Sequence, residues 1–92
     1  MIQDPLYLNR TSADTTGVIR SNLKSVHEAI KYQIYIQTTA TVTLYGRVHN
    51  LAPWQQILQK TASDIGTIPN YAEIKATVTP YTSGNVSVFL QE

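Results

Sequence analysis

The sequence predicts an all-β protein built as an antiparallel β-sandwich. Three observations carry that expectation: apolar and polar residues alternate in several short runs, turn residues separate those runs, and no helical pattern is long enough for a crossover. The clearest runs are Thr41-Val42-Thr43-Leu44-Tyr45-Gly46-Arg47-Val48, Tyr71-Ala72-Glu73-Ile74-Lys75-Ala76-Thr77-Val78 and Asn85-Val86-Ser87-Val88-Phe89-Leu90-Gln91. Successive side chains on a strand point to opposite faces. In the third run Val86, Val88 and Leu90 therefore point inward, with Asn85, Ser87 and Gln91 outward.

From the N-terminus, residues 1–16 carry Pro5, an apolar knot of Leu6, Tyr7 and Leu8, and then polar residues without period. They read as an extended N-terminal arm that lies along its own domain or along a neighbour. Gly17 marks the entry to a β-sandwich domain over residues 17–92. Between Val18 and Ile30 two patterns compete. Ile19, Leu23, Val26 and Ile30 fit one helix face, giving a helix over residues 22–29 with Asn22 as its cap, yet residues 18–21 equally suit a short strand. Helix nucleation over so few residues is unfavourable without packing.

After Ile30, Tyr32, Ile34 and Ile36 share one face of a strand, with Gln33, Tyr35 and Gln37 on the other. Thr38-Thr39-Ala40 suits a tight antiparallel reversal into the strand over residues 41–48. Gly46 falls on that strand's apolar face, where a missing side chain permits a bulge or the approach of a bulky neighbour such as Trp54. Residues 49–53 form a loop, Trp54 opens a short strand to Thr61, and residues 62–70 form a connection containing Gly66 and Pro69. The last two strands, over residues 71–79 and 85–91, are joined by Pro80-Tyr81-Thr82-Ser83-Gly84, which is turn chemistry. Several short strands at this pitch give a jelly-roll-like or immunoglobulin-like sandwich, or a small barrel.

Composition narrows the function. A chain of 92 residues is one small domain, and without cysteine neither disulfides nor thiolate metal ligands can staple it. Seven basic and six acidic residues leave a net charge of +1, with the basic positions spread along the chain, so no nucleic-acid partner is expected. No membrane is expected either, because no apolar stretch approaches the roughly 20 residues that span a bilayer. The opening Met1-Ile2-Gln3-Asp4-Pro5 lacks the order of a signal peptide, which reads as synthesis in a cytosol. Charged residues are only 14% of the total, and Thr replaces them at many exposed strand positions, a surface suited to meeting other protein.

No residue set announces a reaction. His27 and His49 are the only histidines, neither lies in a nucleophile motif, and no Gly-x-Ser-x-Gly elbow occurs. His27 and Glu28 are adjacent, face opposite sides of a strand and are too few to hold a metal. The four glycines stand alone, so no phosphate loop exists and no cofactor is expected. The aromatics remain. Tyr35, Tyr45 and Phe89 fall on the outward phase of three strands, where aligned neighbours would expose an aromatic patch of the kind that marks interfaces. Trp54 reads as a core plug at a sheet edge or, with Tyr71 and Tyr81 near loops, as a stacking group for sugars.

The run from Val42 to Val48, Trp54-Gln55-Gln56-Ile57-Leu58, and the run from Ile74 through Thr82-Ser83-Gly84 to Val88 together resemble small β-sandwich virion proteins of tailed bacteriophages. In those proteins a strand ending in Gly precedes a Trp-containing loop and strand, then a strand, a Ser-Gly turn and a Val-rich final strand. The resemblance covers residues 32–91. This chain has His49-Asn50-Leu51-Ala52-Pro53 where many such proteins have a polar Asp/Gly turn. The resemblance implies a capsid decoration or cement protein, or a tail, fibre or head-to-tail component, located in the virion and without catalysis. Its partners would be copies of itself, as a homo-oligomer, and other virion proteins such as the major capsid or tail protein. The contacts would use Leu6, Tyr7 and Leu8 in the arm and Tyr35, Tyr45 and Phe89 on the sheet. The competing expectation is a carbohydrate-binding module of a phage tail fibre.

Overall fold

The computed structural model describes residues 5–20, 29–69 and 71–91. The helix expected over 22–29 lies outside them apart from Ala29, as do His27 and Glu28. Eight strands are formed: β1 Tyr7–Arg10, β2 Asp14–Arg20, β3 Ile30–Ile36, β4 Thr39–Arg47, β5 Gln55–Lys60, β6 Asp64–Ile68, β7 Glu73–Ser83 and β8 Val86–Gln91. They form two four-stranded sheets, β1-β8-β3-β6 and β2-β7-β4-β5, in which every hydrogen-bonded pair is antiparallel.

Four of those pairs, β1 with β8, β2 with β7, β3 with β6 and β4 with β5, are those of one long hairpin bent at residues 48–54. Rolling that hairpin brings β8 against β3 and β7 against β4, and separates it into two sheets. This is the strand order of a jelly roll. It settles the choice the alternation leaves open.

The core lies between the sheets, where the inward phases meet. Ile30, Tyr32, Ile34 and Ile36 of β3 and Val86, Val88 and Leu90 of β8 face Val42 and Leu44 of β4 and Ile74, Ala76 and Val78 of β7. All are buried. Gly46 lies on the inner face as well, and a Cβ there would sit 2.8 Å from the Ile57 side chain and from the Tyr71 ring. A close neighbour thus explains the glycine, but it is Tyr71 with Ile57.

Several expected connections are strands or crossovers instead. Residues 38–40 do not turn β3 back onto β4, because the two belong to different sheets. The connection expected over 62–70 contains β6, which pairs with β3 from Ile30↔Ile68 to Ile34↔Asp64. β7 continues past the expected turn to Ser83, with a cis Thr79–Pro80 bond. Pro80 is tolerated there because the register with β4 shifts between Ala40↔Tyr81 and Val42↔Val78, a bulge that needs no ladder N–H from it. Gly84 then enters β8 at φ +90°, a left-handed turn conformation that glycine adopts freely.

The N-terminal segment is also part of the sandwich over its described residues. β1 is an edge strand of one sheet and β2 of the other, so the boundary expected at Gly17 falls within β2. Leu6 and Tyr7, expected to reach a neighbour, are core residues. Their apolar surface is better removed from water inside the sandwich than on an arm.

Candidate functional site

Two outer sheet faces carry the exposed candidate residues. On the β1-β8-β3-β6 sheet the register places Gln33 opposite both Phe89 and Ile65, and Tyr35 opposite Ser87. Phe89, Gln33 and Ile65 therefore form a row across three strands, with Tyr35 two residues further along β3. Ile65 is 72% exposed, Leu8 63%, Tyr35 44% and Phe89 37%. Among the described outward residues of these strands, Lys31 is the one charge, at the far end of β3. Two shallow grooves flank the Gln33–Ile65 ridge, each of about 360 Å³, one bounded by Phe89 and Gln91 and the other by Tyr35 and Ser63.

The opposite face is chemically different. Tyr45 pairs with Lys75 and Arg47 with Glu73 across β4 and β7. Arg47 Nε donates to Glu73 Oε1 at 2.6 Å, and its guanidinium lies 4.1 Å from the centre of the Trp54 ring. Lys75 Nζ sits 5.0 Å from both the Tyr45 and the Trp54 rings. Trp54 is half-buried on this outer face and is not a core plug. The cations attract its ring face electrostatically.

The expected aromatic patch is therefore split. Tyr35 and Phe89 share one sheet with Leu8, whereas Tyr45 faces outward from the other sheet. Alternation fixes a side chain's face relative to its own strand but not the sheet that strand joins. The expected stacking trio is split too. Tyr71 packs against Gly46 from the inner side, Tyr81 packs on the core and donates its hydroxyl to Gly84 O at 2.8 Å, and Trp54 is outside.

Two tyrosine–aspartate pairs, not anticipated from the sequence, lie at the sheet borders. The Tyr7 hydroxyl is 2.7 Å from Asp14 Oδ2 and 2.7 Å from Ala76 O, and its single proton serves one acceptor at a time. Asp14 Oδ1 accepts the Gly17 N–H at 3.0 Å, closing the bulge of β2. Burial, then the Asp14 hydrogen bond, pushes the Tyr7 phenol well above its ordinary range. Asp14 is held below the usual carboxylate range by the Gly17 N–H and then by Tyr7. The Tyr32 hydroxyl donates to Asp64 Oδ2 at 2.6 Å, and Lys60 Nζ lies 3.1 Å from the same oxygen. The bond to Asp64, then burial, pushes Tyr32 up to about 12. Asp64 is held low by Tyr32 and then Lys60. These pairs tie strands together, and among the described residues no three metal-donor side chains cluster.

Ile65 is the residue of the apolar face that the sequence reading missed. Its signal was a lone apolar residue between Asp64 and Gly66, too short a pattern to mark a strand. No protein-family model, curated protein or solved structure matches this chain.

Proposed function

We propose that this chain is a non-enzymatic structural protein of a bacteriophage virion, which stabilises a capsid or tail assembly through contacts with copies of itself and with other virion proteins. The observation that carries this reading is the outer face of the β1-β8-β3-β6 sheet, where Leu8, Tyr35, Ile65 and Phe89 are exposed together and Lys31 is the one charge among the described outward residues. Exposed apolar patches of this kind mark interaction surfaces. A subunit that binds only the assembled lattice stabilises it by mass action, and many small repeated contacts gain avidity. Capsid subunits and lectins both use the jelly-roll strand order, so the fold admits more than one role and the face argues for contacts between subunits. The test is the protein composition of purified particles of the phage that encodes the chain. We expect it in stoichiometric proportion to a major structural protein, and its absence from washed particles overturns the proposal.

A second reading, a carbohydrate-binding module of a tail fibre, draws on Trp54, half-exposed beside Tyr45 and Lys75. The contact with Arg47 already engages the indole. Glycan binding that disappears in Trp54→Ala with an unchanged unfolding midpoint would replace the structural reading.

A further inference from the structure

We propose that the outer face of the β1-β8-β3-β6 sheet docks a second copy of this chain about a two-fold axis, with Ile65 of each copy seated in the groove beside Gln33 and Phe89 of the other. The inference deepens the subunit-contact reading above and rests on it. Three observations select a second copy as the occupant.

The first is charge. Across a two-fold axis each residue meets a different one, except on the axis itself, and every charge that the contact covers must be paired or lose its water at a cost. Among the described outward residues of this sheet Lys31 is the one charge, displaced to one end of β3, and Asp64, which borders one groove, is already paired with Lys60, whereas the opposite face carries Arg47, Glu73 and Lys75. The apolar face is therefore the one that a second copy covers with the least burial of charge.

The second is shape. Ile65 stands on a ridge with a groove of about 360 Å³ on either side. A ridge beside a groove is what an isologous contact needs, because one rotation seats both ridges at once. Ile65, 72% exposed, has the most apolar surface to lose among the aliphatic and aromatic residues of this face.

The third is area. β1, β8, β3 and β6 are four, six, seven and five residues long, which at about 3.3 Å rise and about 4.8 Å spacing makes a face of roughly 350 Å² before side-chain relief is counted. Docking two such faces removes roughly 700 Å² before that relief, which puts the contact in the weak, transient class below about 1,200 Å². The consequence is a reversible dimer, sensitive to concentration in dilute solution and reinforced where many copies are held close together.

Sedimentation velocity of the full chain, from low to high micromolar, tests the proposal on the wild type, Ile65→Arg, Ile65→Ser and the control Ile19→Arg on the opposite face. We expect a concentration-dependent monomer–dimer equilibrium, weakened about tenfold or more by Ile65→Arg and less by Ile65→Ser, and unchanged by Ile19→Arg. Unfolding midpoints check that each variant is folded, and Ile65→Ser carries the comparison if Ile65→Arg is not. A wild type that stays monomeric throughout overturns the inference, as does an Ile65 variant that dimerises like the Ile19 control. Particle composition separates this outcome from failure of the function: a monomer found stoichiometrically in virions leaves the structural role standing and assigns the face to a different virion protein.

Discussion

Tyr7 and Asp14 show how a hydroxyl fastens two sheets. Tyr7 belongs to an edge strand of one sheet, yet its oxygen reaches the Ala76 carbonyl of the other, 69 residues away in the chain. The Leu6-Tyr7-Leu8 knot was legible in the sequence as apolar. The partners of its phenol were not, since neither periodicity nor propensity reports a contact at that separation. Tyr32 and Asp64 make the matching bond at the far edge, and together the pairs give stability a defined pH dependence. Both carboxylates are held low in the folded state, so their contribution is present at neutral pH and is lost as pH falls below about 4 and through the folded value. Both phenols are raised, so their contribution is intact below about 10 and is lost as pH rises further, for Tyr32 towards about 12. Urea midpoints measured against pH should fall on both flanks, and Tyr32→Phe should flatten each limb. An acid limb identical in Tyr32→Phe and wild type would remove the Tyr32–Asp64 bond as its cause.

Among the strands, β3, β4 and β8 were the most legible, because Ile34 and Ile36, Val42 and Leu44, and Val88 and Leu90 alternate without interruption. β6 was hidden by its brevity and by Gly66, and the reach of β7 by Pro80, which reads as a turn until the bulge opposite it is seen. β1 is the element whose role changes most. An arm could be removed without harm, but Leu6 and Tyr7, at the entry to β1, join the core, and β1 covers one side of β8. Burying each such side chain contributes about 1.5–3 kcal/mol. Deleting residues 1–10 should therefore lower the unfolding free energy by at least about 3 kcal/mol, read from urea denaturation followed by circular dichroism. A truncated chain as stable as the full one would show that β1 adds nothing to the sandwich.

For the whole molecule, the fold class followed from alternation, while the assignment of strands to sheets did not. Tyr35 and Tyr45 occupy equivalent outward phases on consecutive strands, and only the crossover at residues 37–38 sends them to opposite sides of the sandwich. The pairing of β1 with β8 and β2 with β7 joins residues distant in sequence, so loop closure precedes most of the stabilising contacts. Refolding monitored by Trp54 fluorescence in stopped flow should accordingly take milliseconds to seconds, and microsecond refolding would contradict that ordering of events. The rolled hairpin also has a mechanical consequence. Leu6 N–H donates to Val88 O, and β1 runs antiparallel along the first half of β8, so its start lies nearer the C-terminal end of β8. Tension applied at the two ends of the described chain would act across this antiparallel pair and open its hydrogen bonds one after another, as a zipper opens, instead of shearing them together. Such a domain yields readily when pulled by its ends.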